Sequence, residues 1–291
     1  METASSYLMG LAQRIAAPYA AQPQSRAILL TGSTASGAAD YASDIDLIAY
    51  YDALPDEDAL QAARQQNRGS ERVLFSADLE RGVVLEAYDV DGVQCQVLHT
   101  TVAGWERDMA TVREQLDVTT PLHKALAGLL AGTPLQGAEL IRAWQSLAAD
   151  YPDALAEAAV AHYLRGLPSP SLAPYLASRD ASIWHSQTMV EAAQHLLGAL
   201  AGLNRVYYST FQLKHQHQLA TQLRLAPADL AARIDQLFQP DAAAAGAELA
   251  RLIGETIALI ETHMPAIDTA AARKRLEWRR DPWQPHGDED S

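Results

Sequence analysis

Residues 26–50 read RAILLTGSTASGAADYASDIDLIAY, and this stretch decides the fold. Ala27, Ile28, Leu29 and Leu30 predict a buried strand that ends at Thr31, where Gly32-Ser33 follows. After a run of small residues a second strand opens with Asp44-Ile45-Asp46. Successive side chains of a strand point to opposite faces, so Asp44 and Asp46 share one face and Ile45 and Leu47 take the other. Two carboxylates then stand side by side near a Gly-Ser turn whose backbone can approach a phosphate closely. Two hard oxygen ligands beside a phosphate cradle are what a Mg²⁺-nucleotide site requires. Either half alone, an Asp-x-Asp or a Gly-Ser, also occurs in surface loops; the conjunction carries the reading.

Outward from this stretch the pattern alternates between helix and strand. Leu8, Leu11, Ile15 and Tyr19 have helical spacing and predict a helix over 3–20. A short helix is expected around 34–41, and another from Leu54-Pro55-Asp56-Glu57 to about Asn67, since proline and acids suit a first turn. Residues 72–75 read as a strand, and 83–90 and 93–100 as two more joined by Asp91-Gly92, a strong hairpin signal. From Thr101 onward the strand signal vanishes. Helices are expected over 102–116, 121–131, 136–150, 153–164, 183–206, 210–222, 227–238 and 242–263, the long one carrying an apolar stripe of Met189, Ala193, Leu196, Leu197, Leu200 and Leu203. Asp180 is expected to cap that helix or sit in its first turn. The fold class is α+β: a mixed-sheet α/β domain over 1–116, an all-α bundle over 117–270, and a polar, flexible tail over 271–291.

Composition narrows the partners. The chain has 291 residues and a formal net charge of −14, which disfavours sequence-independent binding to nucleic acid and favours a cationic small molecule. Cys95 is the only cysteine, so no intrachain disulfide can form, and a cytoplasmic location is expected. No apolar run approaches the ~20 residues that span a bilayer, so no membrane partner is expected. No Cys/His cluster has zinc spacing; His99 falls on an apolar row and reads as a buried structural histidine.

Gly32-Ser33 followed by Ser43-Asp44-Ile45-Asp46-Leu47 resembles the signature of the DNA polymerase β-like nucleotidyltransferase superfamily. The segments Leu122–Leu130, Thr133-Pro134-Leu135-Gln136-Gly137 and Leu203–Tyr208, with Lys214 beyond, are similar to the helical C-terminal domain of one branch, which includes aminoglycoside adenylyltransferases. The resemblance implies a nucleotidyltransferase-like fold and transfer of a nucleoside monophosphate, most often AMP, from ATP or another NTP to a hydroxyl of a small acceptor. It implies Mg²⁺ held by Asp44 and Asp46, with Gly32 and Ser33 at the phosphates. It also implies that Lys214 can reach the triphosphate from the helical half; a solvated surface lysine is the other reading of that residue. Tyr208 has two readings, a stacking face for adenine or a packed core tyrosine.

One position departs from the pattern. The superfamily carries a third carboxylate on a later strand, and the matching position here is Gln96, with Val93, Cys95 and Val97 as the apolar row. If Asp91-Gly92 is a two-residue turn, Asp89 lies opposite Gln94 on the face of Gln96, while Glu86 pairs with Val97 on the wrong face. Glutamine brings no charge and cannot act as a base. Three outcomes stay open: another acid such as Asp89 substitutes, the base comes from elsewhere, or the protein is a nucleotide-binding sensor with a degenerate site. A protein-nucleotidylating enzyme is a further alternative to the small acceptor.

Overall fold

A computed structural model describes residues 3–210, 213 and 216–279. The chain divides into two compact units, Met1–Tyr151 and Pro152–Ser291.

The first unit opens with α1 (Ala4–Ala20), capped by Thr3, whose side chain accepts from the backbone N–H of Ser6. β1 (Ser25–Thr31) runs into the short α2 (Gly32–Ser36), and β2 (Ile45–Tyr51) returns antiparallel to β1. α3 (Glu57–Gln66) begins after Pro55, with the Asp56 carboxylate accepting from the Ala59 N–H at 2.8 Å and Glu57 and Asp58 in its first turn. β3 (Leu74–Asp78), β4 (Val83–Val90) and β5 (Val93–Thr101) form a meander. Its tight hairpin has Asp91 and Gly92 both at positive φ, 52° and 80°, the geometry a two-residue primed turn demands. α4 (Val102–Arg113), α5 (Leu122–Ala131), β6 (Thr133–Gln136) and α6 (Ala138–Ala149) complete the unit.

The six strands form one mixed sheet in the order β3-β4-β5-β2-β1-β6, in which β2 and β5 are parallel and the other pairs antiparallel. One face packs Ile28, Leu30, Ile45, Leu47, Ala49 and Val97 against Leu8, Leu11, Ile15 and Tyr19 of α1 and Leu60 and Ala63 of α3. Each fully buried Leu or Ile there contributes roughly 1.5–3 kcal/mol. The other face carries Tyr50, whose ring lies 5.9 Å from Trp105 of α4 and 4.8 Å from Trp144 of α6. The same alternation that sends Ile45 and Leu47 inward sends Asp46 to this second face.

The boundary expected at 116/117 moves to Tyr151. β6 pairs antiparallel with β1, and Ser25 Oγ donates to Gln136 Oε1 at 3.0 Å, so the segment reaching α6 belongs to the sheet. The strand expected at 72–75 lies at Leu74–Asp78, and the helix expected at 34–41 starts at Gly32 and ends at Ser36.

In the second unit every assigned element among the described residues is a helix: α7 (Asp153–Gly166), α8 (Leu172–Ala177), α9 (Ser182–Leu203), α10 (Gln216–Gln222), α11 (Leu230–Gln236), α12 (Ala242–His263) and α13 (Ala270–Glu277). The stripe from Met189 to Leu203 on α9 is buried, as its spacing predicts. α8 and α13 were not expected. α13 replaces the first part of the expected flexible tail: Arg273 pairs with Glu261 of α12, and Arg275 donates to the Leu164 carbonyl at 2.6 Å. The Glu261 carboxyl is held down to about 2 by the hydrogen bond from Arg273 and then that from Thr269. Residues 280–291 lie outside the described residues. Asp180 does not cap α9; the cap position is Ala181, which supplies no side-chain bond. No helix among the described residues is long and apolar enough to cross a membrane.

Candidate active site

Four neighbouring strands set the site at one rim of the sheet. In register across them lie Thr31 of β1, Asp46 of β2, Gln96 of β5 and Ala87 of β4. Directly opposed residues of neighbouring strands share a face, so Asp46 and Gln96 stand side by side on the face opposite Cys95 and Val97. Asp44 precedes the first residue of β2, and Gln96, which stands beside Asp46, reaches the Asp44 carboxylate. Both aspartates are half-buried.

Gly32 is required by two independent constraints. Its φ is +72°, a region L side chains rarely adopt, and a Cβ built on it would lie 2.6 Å from Asp46 Oδ2. The Asp46 carboxylate therefore lies directly against the turn that leaves β1. Ser33 follows half-buried, and its hydroxyl has no hydrogen-bond partner among the described residues. The next residue, Thr34, is buried, and its hydroxyl donates to the Asp44 carbonyl at 3.2 Å. Gly37 closes α2 in the left-handed conformation at φ +74°.

The chain entering Asp44 is shaped by a side-chain turn. Asp40 Oδ1 accepts from the Ala42 N–H at 3.0 Å and from the Ser43 hydroxyl at 2.9 Å, while Ser43 Oγ accepts from the Asp40 N–H at 2.9 Å. The Ser43 hydroxyl, then the Ala42 N–H, hold the Asp40 carboxyl below the usual carboxylate range. Thr34, Asp40 and Ser43 were not singled out from the sequence. The Asp-x-x-Ser spacing just before Asp44 is the signal that could have found the turn; nothing in the sequence marks Thr34.

Gln96 touches the pair directly: its Nε2 donates to Asp44 Oδ2 at 3.0 Å. Asp89 pairs with Gln94, so it is on the expected face, and it is exposed. Glu86 pairs with Val97 and is fully buried on the other face. Among the described residues no group of three or more His, Cys, Asp or Glu side chains is placed to hold a metal ion, so Asp89 does not complete a three-carboxylate cluster with Asp44 and Asp46. Beneath the rim, burial, then the charges of Asp89 and Asp44, push the Cys95 thiol up to about 12, which marks it as a core group and not a nucleophile.

The donor set suits a hard divalent cation. Mg²⁺ commonly takes one or two protein carboxylates and completes its octahedron with phosphate oxygens and water, so a pair of aspartates fits without a third protein ligand.

Tyr208 is buried inside the second unit, donates its hydroxyl to the Gln194 carbonyl at 3.0 Å, and packs edge-to-face on Tyr163. Of its two readings, the packed core tyrosine is the one this environment matches. Lys214 lies outside the described residues. His99 is buried, as expected, with Nδ1 3.1 Å from the Tyr51 hydroxyl.

No family model matches the chain, and no curated protein matches it. Among solved structures, a nucleotidyltransferase-like protein from Exiguobacterium sibiricum is similar over 89% of this chain and 81% of that one, with 13% identity and a TM-score of 0.39.

Proposed function

We propose that this chain is a Mg²⁺-dependent nucleotidyltransferase that moves a nucleoside monophosphate, AMP first among them, from a nucleoside triphosphate to a hydroxyl of a small acceptor. The observation that supports it most is the Asp46 carboxylate packed against Gly32, with Asp44 beside it on the same face.

Asp44 and Asp46 would hold the cation. When bound, Mg²⁺ neutralises the triphosphate and stabilises the charge that builds on its oxygens. Gly32 lets the backbone approach the phosphates without a side chain in the way, and the Ser33 hydroxyl donates to a phosphate oxygen. The acceptor hydroxyl oxygen bonds to the α-phosphorus, the bond from that phosphorus to the bridging oxygen breaks, and pyrophosphate leaves with the electron pair. The acceptor proton passes to an acid outside the cation's ligands, such as Asp89, or to water, because the Gln96 amide has no basic atom at neutral pH. Lys214 is the cation assigned to the triphosphate from the helical half. The net charge of −14 favours a cationic acceptor of the aminoglycoside kind, in a cytoplasmic setting; a protein hydroxyl is the other acceptor class.

A nucleotide-binding sensor is the second reading. The Gln96 amide at the third-acid position favours it. Purified protein incubated with ATP, Mg²⁺ and a panel of hydroxyl acceptors is expected to release pyrophosphate with at least one of them. Tight ATP binding with no release would favour the sensor. Release that survives Asp46→Ala would defeat the site assignment, and Lys214→Ala binding triphosphate as well as wild type would remove that lysine from it.

A further inference from the structure

Asp44 is held unlike Asp46. It precedes β2, whose first residue is Ile45, and two side chains hold it: Thr34 Oγ1 on its carbonyl at 3.2 Å and Gln96 Nε2 on its carboxylate at 3.0 Å. Gln96 sits opposite Asp46 in register but reaches along the rim to Asp44, so it spans the gap between the two rows. A flipped amide would set Oε1 against a carboxylate oxygen, acceptor on acceptor, so electrostatics selects the donating orientation. An ionised carboxylate at position 96 could not make this bond at all.

We infer that Gln96 is a positioning residue that braces Asp44 and closes the space between residues 44 and 96, so that the rim takes a single divalent cation with its nucleotide. This rests on the proposed nucleotide site. The amide puts a donor hydrogen on Asp44 Oδ2, where a third carboxylate would instead offer another oxygen to a cation. The brace also relieves a cost: it supplies one donor to a half-buried anion whose neighbour in the rim is another anion. One oxygen of Asp44 is taken by Gln96, so the other oxygen, together with Asp46, would hold the ion.

The test counts ions and reads the metal-free protein. Manganese bound to the full chain with a non-hydrolysable ATP analogue is counted by electron paramagnetic resonance. Wild type is expected to hold one Mn²⁺ per chain. Gln96→Met keeps the side-chain length and loses the donor; it should weaken Mn²⁺ on the order of tenfold, about the value of a single lost hydrogen bond. Without metal, Gln96→Met should melt below wild type. Gln96→Glu should melt lower still and be restored by Mn²⁺, because it sets like charges side by side. Two Mn²⁺ on the wild type overturns the inference, and so does a Gln96→Met protein with wild-type affinity and melting. Asp46→Ala separates this from the function itself. If Asp46→Ala loses Mn²⁺-dependent nucleotide binding while Gln96→Met does not change, the brace alone fails. If Asp46→Ala keeps that binding, the proposed site fails.

Discussion

The sheet of the first unit carries acids on both faces, and their surroundings differ sharply. Glu86 on β4 is fully buried against α1 and α3. It accepts from the Tyr19 hydroxyl at 2.8 Å and from Arg64 at 3.1 Å, and His99 Nε2 lies 3.4 Å away. Tyr19 also bonds Tyr88 at 2.8 Å, and Asn67 donates to Tyr88 and to the Ile15 carbonyl. Asp44 and Asp46 stand half-buried at a rim of the opposite face, against a glycine turn and an amide. The protein surrounds one carboxylate so completely that its capacity is used up in holding helices to the sheet. At the rim the two aspartates stay only half-buried. Strand parity alone separates the two fates: Glu86 pairs with Val97, and Asp46 with Gln96.

That contrast can be broken most forcefully at Glu86. Glu86→Ala removes one member of a buried ionic network and should cost about 3–5 kcal/mol, read from urea unfolding, because Arg64 is left without its partner. A cost below about 1 kcal/mol would mean the network is not structural. Burial alone would raise the Glu86 carboxyl, but His99, Tyr19 and Arg64 together outweigh it and leave it below the usual carboxylate range. The sign follows from linkage. The stability it contributes is full above the ordinary glutamate value of about 4.3 and drains as pH falls through the lower folded value. Glu86→Gln should flatten that acid limb of the urea midpoint; an unchanged limb would assign it to other groups.

Asp46→Asn is the mirror experiment. It should weaken Mn²⁺ with nucleotide on the order of 100-fold, ~2.7 kcal/mol, while the urea midpoint moves far less than for Glu86→Ala. A variant that unfolds instead would make Asp46 a structural acid like Glu86 and erase the distinction. Gly32→Ala should have the smallest effect of the three. The strained φ costs about 1–3 kcal/mol, and the new methyl must displace the Asp46 carboxylate, so Mn²⁺ affinity falls by roughly tenfold. Wild-type affinity would show that Asp46 is not seated against residue 32.

Strand parity is also why much of this was legible. Alternation predicts Asp44 and Asp46 on one face and sets Gln96 opposite Val93, Cys95 and Val97, and the Asp91-Gly92 turn fixes the register that pairs Asp89 with Gln94 and Glu86 with Val97. Both are local rules that need only neighbouring residues. What the sequence hid depends on distant partners. Thr-Pro-Leu-Gln at 133–136 has no strand periodicity and contains a proline; it becomes β6 because the open edge of β1 accepts it, and proline is tolerated on an edge strand. The hydrogen bond from Gln96 to Asp44 follows from the parallel pairing of β2 and β5, which no local pattern announces. The Glu86 network likewise gathers residues from α1, α3, β2, β4 and β5, each unremarkable in its own segment.

The parallel pairing of β2 with β5 has a consequence for the order of events during folding. The β4–β5 hairpin closes locally, but β2 meets β5 only after α3 and that whole meander have been made. Pairing strands this far apart in sequence is slow compared with closing a local hairpin. A nascent chain therefore exposes its Asp-Ile-Asp edge well before the strand bearing Gln96 has been synthesised. The rim where Asp46 meets Gln96 is a late product, formed when the centre of the sheet zips shut.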